Sequence, residues 1–350
     1  MSSTNKRQAW RSGLGILLGA LVVVVAAAFI GAAAVLRAPA SLPREGILVT
    51  IESGESAAEV SSSLESSGAI RSGLVFRALI RLEKVGDRLK AGTYRIEPGM
   101  GSLAVLNLLV SGRQALMRVT LPEGYSLSET ARLLEEEGIA PASDFQAVAR
   151  DGAFIASLGL AAPSLEGYLF PDTYFFPKGY GAQAAARAMV REFREKLATA
   201  IPESGSLSAR ELEERVILAS IVEREYRRSE EAPLIASVFY NRLRIGMALQ
   251  SCATVVYVIT EKQGKPHPDV IYDRDLEIKD AYNTYRQRGL PPGPICSPGL
   301  TALEAAFRPA SSKYLYFRLV DPDAGKHHFS ETLEEHNQAA SLIVKRVGGK

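Results

Sequence analysis

An α+β protein carried on a single membrane-crossing helix is what the chain predicts, and three observations predict it. Residues 13–36 contain no charged side chain. A short strand, a glycine turn and an amphipathic helix recur further on at a constant shift of 70 positions. The second half then alternates strongly helical segments with aromatic stretches broken by proline and glycine, the mixture expected of a mixed α+β domain. At 350 residues the chain has material for several domains of roughly 100–200 residues each.

Composition excludes several classes. Lys+Arg at 41 against Asp+Glu at 39 leaves a formal charge of +2, too small for a nucleic-acid field and too balanced for acidic disorder. No nucleic acid is expected as a partner. Two cysteines, Cys252 and Cys296, exclude a disulfide-dense scaffold, and neither they nor the four histidines have zinc-ligand spacing. His327 and His328 are adjacent, so from a strand they point to opposite faces. No metal and no cofactor are expected.

The N-terminal elements follow from charge and hydropathy. Residues 1–12 carry Lys6, Arg7 and Arg11 with no acid, a cytoplasmic tail by the positive-inside rule. The apolar run 13–36 exceeds the ~20 residues needed to span a bilayer. It also exceeds the ~7–15 apolar residues of a cleaved signal, which favours a retained anchor although Ala38-Pro39-Ala40 resembles a cleavage site. Everything after Arg37 is then outside. Residues 37–45, with Pro39 and Pro43, read as a spacer.

Residues 46–140 hold the repeat. Val49-Thr50-Ile51, Gly54, Ser56, Glu59, Leu64 and Gly68 return as Val119-Thr120-Leu121, Gly124, Ser126, Glu129, Leu134 and Gly138. A looser copy runs from Tyr94 through Gly99 to Gly112. Each copy reads as a β-rich strand, a turn, Ser with Glu three residues on as a capping box, an amphipathic helix and a glycine stop. Such units resemble LysM-type modules, which in other proteins grip the N-acetylhexosamine chain of cell-wall glycans. A spacer that packs on its neighbour and touches no sugar reads the same way. Residues 141–163 form a helical connector.

The last region, 164–345, carries the chemistry. Glu166, Tyr168, Phe170, Asp172, Tyr174, Phe175 and Phe176 crowd a segment bounded by prolines. Aromatic faces with carboxylates suit a sugar cleft, and a buried hairpin would look alike. In the helix expected over 209–228, the apolar stripe through Leu212, Val216 and Ala219/Ser220 ends on Glu223, while Glu213, Glu214 and Glu225 fall off it and are most simply solvated. A partly desolvated carboxyl stays protonated near neutral pH, as a general acid requires. Pairing of Glu223 with Arg227 on an exposed face is the other reading. A second helix from Ala232 stops at Gly246, the Pro/Gly loop 289–299 is too stiff for a linker, and 314–320 alternates like a strand.

Together LEGYLFPDTYFFP, LASIVEREY, VFYNRLRIGMALQ, YNTY with GLPPGPI, and YLYFRLVD leading to HFSETLEEHN resemble the endolytic murein transglycosylases of the YceG-like type. One departure is visible: that family often carries Asp-Pro where this chain has Cys252-Ala253. The resemblance implies cleavage of the β-1,4 bond between N-acetylmuramic acid and N-acetylglucosamine without water, giving 1,6-anhydro ends and terminating strand growth. It implies a bacterial inner-membrane protein facing the periplasm, with peptidoglycan strands as substrate and peptidoglycan synthases as companions. Glu223 would be catalytic, and Glu166, Tyr168, Asp172, Asn241, Gln250, Thr254, Asn283 and Tyr285 would bind substrate. It also places Cys252 and Cys296 around one cleft, where they would pair; two free thiols are the alternative. A non-catalytic scaffolding protein of the wall-synthesis machinery would use the same cleft without cutting.

Overall fold

The structure, a computed structural model, describes residues 42–342 together with Ile30, Gly31 and Ala34. The expected membrane span, 13–36, lies outside the described residues but for those three, as does the tail 1–12. Among the described residues no helix is long and apolar enough to cross a membrane. The chain divides into two compact units after Leu116.

The first unit runs β1 (Ile47–Ile51), α1 (Ala57–Ser66), α2 (Gly73–Leu82), β2 (Gly92–Ile96) and α3 (Ser102–Ser111). Strands β1 and β2 are antiparallel, with Val49 opposite Tyr94 and Thr50 opposite Thr93. Their alternation sends Val49, Ile51, Tyr94 and Ile96 inward against Val60 and Leu64 of α1, Phe76 and Ile80 of α2, and Val105 and Leu109 of α3. The Ser56/Glu59 capping box forms as its spacing requires. Gly68 takes φ +74, so its N–H reaches the Glu65 carbonyl and the next N–H reaches that of Leu64, closing the helix in a Schellman turn. The looser third copy is the return strand β2 and the helix after it.

The second unit opens with the second copy: β3 (Leu116–Thr120), α4 (Leu127–Glu136), α5 (Ala142–Val148), α6 (Gly152–Ser157) and β4 (Thr173–Pro177). Strand β3 is hydrogen-bonded to β4. The Thr120–Thr173 hydroxyl pair at 3.0 Å matches Thr50–Thr93 at 3.0 Å in the first unit. Ser126/Glu129 again form a capping box, and Gly138 again closes a Schellman turn. The sequence groups 46–140 and opens the next region at 164. In the structure the second copy closes only at β4, and Val119, Leu121, Leu127, Ala131 and Leu134 bury in the same core as the helices that follow.

Those helices are α7 (Ala182–Ala200), α8 (Ala209–Glu225), α9 (Ala232–Arg244), α10 (Cys252–Tyr257), α11 (Asp273–Leu276) and α12 (Leu300–Phe307). They precede the hairpin β5 (Tyr316–Asp321)–β6 (Lys326–Ser330) and α13 (Leu333–Gln338). Helix α8 is central: capped by Ser208 and Glu211, it is buried at every position from Val216 to Val222, against α9, α10 and α12. The hairpin docks through Phe317, edge-on to Phe239 of α9 at 5.7 Å. Tyr168, Phe170, Tyr174 and Phe176 of the aromatic segment resolve as core, while Phe175 is exposed. Tyr168 is 2 % exposed and meets Phe193 edge-on at 5.4 Å, and Tyr174 stacks on Phe176 at 5.3 Å.

Candidate active site

Helix α8 carries its buried run to Val222, and the next residue, Glu223, is half-buried where the helix emerges. The N–H of Gly299 donates to Glu223 Oε2 at 2.9 Å, and the Tyr226 hydroxyl lies 3.5 Å from Oε1. Burial pushes the carboxyl up to about 7, and the charge of Glu123 pushes the same way, against the Gly299 hydrogen bond. The carboxyl therefore holds its proton to higher pH than an ordinary glutamate.

The Pro/Gly loop 289–299 is stitched on both sides of this carboxyl. Toward α8, the N–H of Ile295 donates to Ser220 Oγ at 3.0 Å. Toward the turn after β3, Gly124 N–H donates to the Ser297 carbonyl at 2.9 Å, and Ser297 N–H to that of Tyr125 at 2.7 Å. Arg224 donates to the Gly124 carbonyl at 3.0 Å. A Cβ on Gly124 would lie 3.9 Å from Glu223 Cγ, and one on Gly299 would fall 1.9 Å from Glu123 Oε1. A side chain at position 299 would require the Glu123 side chain to move away.

Two cavities open at the end of α8. One, of about 440 Å³, is bordered by Gly124, Ser126, Arg224, Tyr257, Glu261 and Ile295. Glu261 accepts from Ser126 and Ser128 hydroxyls at 2.8 and 2.7 Å. Behind it, Glu166 is buried, accepting the Leu127 N–H at 2.9 Å and the Tyr257 hydroxyl at 3.3 Å. Burial raises its carboxyl to about 8. The other cavity, of about 330 Å³, is bordered by Glu225, Arg242, Gln250, Cys252, Tyr285 and His336. Glu225 follows Glu223 by two residues, roughly 200° around the helix, and accepts the Ser251 hydroxyl at 2.5 Å. Burial raises its carboxyl as well. It is not a solvated side chain, contrary to the sequence expectation.

Of the residues expected at substrate, Gln250 and Tyr285 border the second cavity. Gln250 holds φ +51, a left-handed backbone, with its N–H on the Thr284 carbonyl at 3.1 Å. Asp172 is half-buried and pairs with Lys196 at 3.1 Å. Tyr168, Asn241, Thr254 and Asn283 are buried and border neither cavity. Asn241 Nδ2 donates to the carbonyls of Ser312 and Tyr314 at 3.0 and 2.9 Å. Asn283 Nδ2 donates to those of Leu276 and Ile278, both at 2.8 Å. Thr254 bonds Ser251 and Thr284 at 2.8 and 2.9 Å. These groups hold loops in place.

The expected disulfide is corrected too, since both cysteines are free. Cys252 is exposed, its sulfur 3.1 Å from the Tyr285 hydroxyl, whereas Cys296 is buried with its thiol 3.2 Å from the Ser220 carbonyl. His327 pairs with Glu231 at 2.7 Å. Glu123, Glu225 and Glu261 join the site although sequence reasoning did not single them out. The repeat registers Glu123 against Ser53, which is the one available signal that this turn differs from its counterpart.

The YceG-like family model matches residues 49–341. A protein of Bacillus subtilis (strain 168) named endolytic murein transglycosylase is 31% identical over 346 residues, covering 94% of this chain and 93% of that one. One of the same name from Streptococcus pneumoniae serotype 2 (strain D39 / NCTC 7466) is 31% identical over 324 residues, covering 83% of this chain, which spans only 57% of that protein. A crystal structure of a YceG-like protein from Listeria monocytogenes superposes with a TM-score of 0.56 at 32% identity, covering 85% of this chain and 99% of that one. Matched over its described length in sequence and in fold, the chain belongs to the YceG-like family.

Proposed function

We propose that the chain is an endolytic peptidoglycan lytic transglycosylase in which Glu223 serves as both acid and base. The observation that carries the reading is the half-buried Glu223 carboxyl, raised by burial and held by the Gly299 N–H, between Arg224, which borders one cavity, and Glu225, which borders the other. The names of the relatives supply the substrate class. A glycan crossing the end of α8 has room for sugars on either side of the scissile bond, with Arg224 bordering one cavity and Glu225 the other.

The chemistry balances on one carboxyl. Protonated Glu223 gives its proton to the glycosidic oxygen as the C1–O4 bond breaks, leaving a cationic C1 on the muramoyl sugar and a carboxylate on Glu223. That carboxylate takes the proton of the C6 hydroxyl as O6 bonds to C1, closing a 1,6-anhydro ring and restoring the acid. No water enters. The Gly299 N–H steadies the charged form between the two steps.

The uncharged run 13–36 supports anchoring in the bacterial inner membrane, N-terminus inside, with the site on the periplasmic side. Cutting there would terminate strands as synthases make them, and the LysM-like first unit would hold the glycan. Full-length protein in detergent, incubated with purified peptidoglycan, tests the reading by mass spectrometry of the products. Wild type is expected to leave 1,6-anhydro ends, and Glu223→Gln to fold normally with activity lower by at least ~10³-fold. Hydrolysed, reducing ends would refute the water-free scheme. An active Glu223→Gln would move the acid elsewhere, Glu225 first.

A further inference from the structure

The second-copy turn Pro122-Glu123-Gly124-Tyr125 occupies the register that Glu52-Ser53-Gly54-Glu55 holds in the first copy. The turn works there without an acid at its second position: a Cβ on Gly54 meets nothing within 4 Å, so that turn faces open space. Here the same turn is sewn to the loop at Ser297 by two backbone hydrogen bonds, of 2.9 and 2.7 Å. Glu123 Oε1 then sits where a Cβ of residue 299 would be, while the N–H of that same residue holds Glu223. Two carboxylates converge on one glycine, and the scaffold does not demand the first of them.

We infer that Glu123 is a positioning residue for Glu223: its exposed carboxylate, lying against Gly299, keeps the proton on Glu223 until the glycosidic oxygen takes it. Once the proton is gone, the same repulsion makes the Glu223 carboxylate the stronger base toward the C6 hydroxyl. This inference rests on Glu223 being the acid, as proposed above. The titratable and charged groups facing Glu223 are Glu123 from the turn, Arg224 and Tyr226 from its own helix, and the Cys296 thiol from the loop. Arg224, the cation of this set, donates to the Gly124 carbonyl at 3.0 Å, which ties it to the turn that carries Glu123.

The test is the pH dependence of muropeptide release by full-length protein in detergent, for wild type, Glu123→Gln, Glu123→Ser, Glu123→Asp and Glu223→Gln. In Glu123→Gln and Glu123→Ser the alkaline limb should move down by about half a pH unit. KM should hold, and the rate should fall most on the alkaline side. Glu123→Asp, shorter but charged, should fall between these and wild type. Superimposable profiles would overturn the inference, as would a folded Glu123→Gln inactive at every pH, which would make Glu123 a reacting group. Should Glu123→Gln lose cooperative melting, Glu123→Ser, carrying the first copy's residue, gives the same readout. An active Glu223→Gln sinks the underlying reading; an inactive Glu223→Gln together with an unmoved limb in the Glu123 variants sinks only the role of Glu123.

Discussion

The two copies of the repeat share a plan and differ in what surrounds it. In the first, Ser56 and Glu59 are exposed, and the box does no more than start a helix. In the second, Ser126 is 5 % exposed and also donates to Glu261, and the helix start is held from below by the buried Glu166. The same local grammar thus yields an exposed helix start in one unit and a wall of the site in the other. Capping chemistry decides that the helix begins; tertiary packing decides what its first turn can reach.

Removing what is peculiar to the second copy should therefore cost most. Glu166→Ala strands a buried N–H and a buried hydroxyl and leaves a void, and is expected to destabilise the second unit by about 3 kcal/mol in chemical denaturation. A loss below about 1 kcal/mol would show that the box alone holds α4. Glu166 also sets a pH dependence. Its folded carboxyl lies at about 8 against an ordinary 4.5, and that of Glu223 at about 7. The folded chain therefore holds these protons more tightly than the unfolded chain. The associated stability is complete below about 4.5 and is lost as pH rises through 7 to 8. Melting temperature should fall from pH 5 to 9, and less steeply in Glu166→Gln.

The shared features should give smaller and more equal effects. Ser126→Ala is expected to cost about 2 kcal/mol and Ser56→Ala about 1 kcal/mol, the difference reflecting burial and the bond to Glu261. Equal losses by denaturant titration would erase the contrast. Thr50→Val and Thr120→Val, each breaking one cross-strand hydroxyl pair, should each cost about 0.5 kcal/mol. That match would make strand pairing the part of the plan the two copies have in common.

What the sequence made legible was local. The two capping boxes, the glycine stops, the helix ending near Glu223 and the strand after Tyr314 all follow from spacings within a dozen residues. The pairing of the return strands was not legible, because β2 and β4 join their partners from more than 40 residues away through backbone bonds that leave no side-chain pattern. Nor was Glu225: an apolar stripe says which face of α8 meets the core, but Glu225 lies off that stripe and is held by the Ser251 hydroxyl. The internal bonds of Asn241, Thr254 and Asn283 were not legible either. Polar residues in a motif suggest ligand contact, yet here each is spent on backbone carbonyls or a neighbouring hydroxyl that folding would otherwise strand. The convergence of Glu123 and Glu223 joins residues 100 apart, and no periodicity announces it.

The left-handed backbone at Gln250 bears on how such a site ages under selection. Glycine would adopt that conformation freely, whereas a side chain there carries a penalty of about 1 kcal/mol. The most heat-tolerant version of this segment would carry glycine, and this chain carries glutamine at the mouth of a cavity. Robustness of the turn and usefulness of its amide pull against each other at one residue, so variants enriched for thermal endurance alone would drift toward losing that amide.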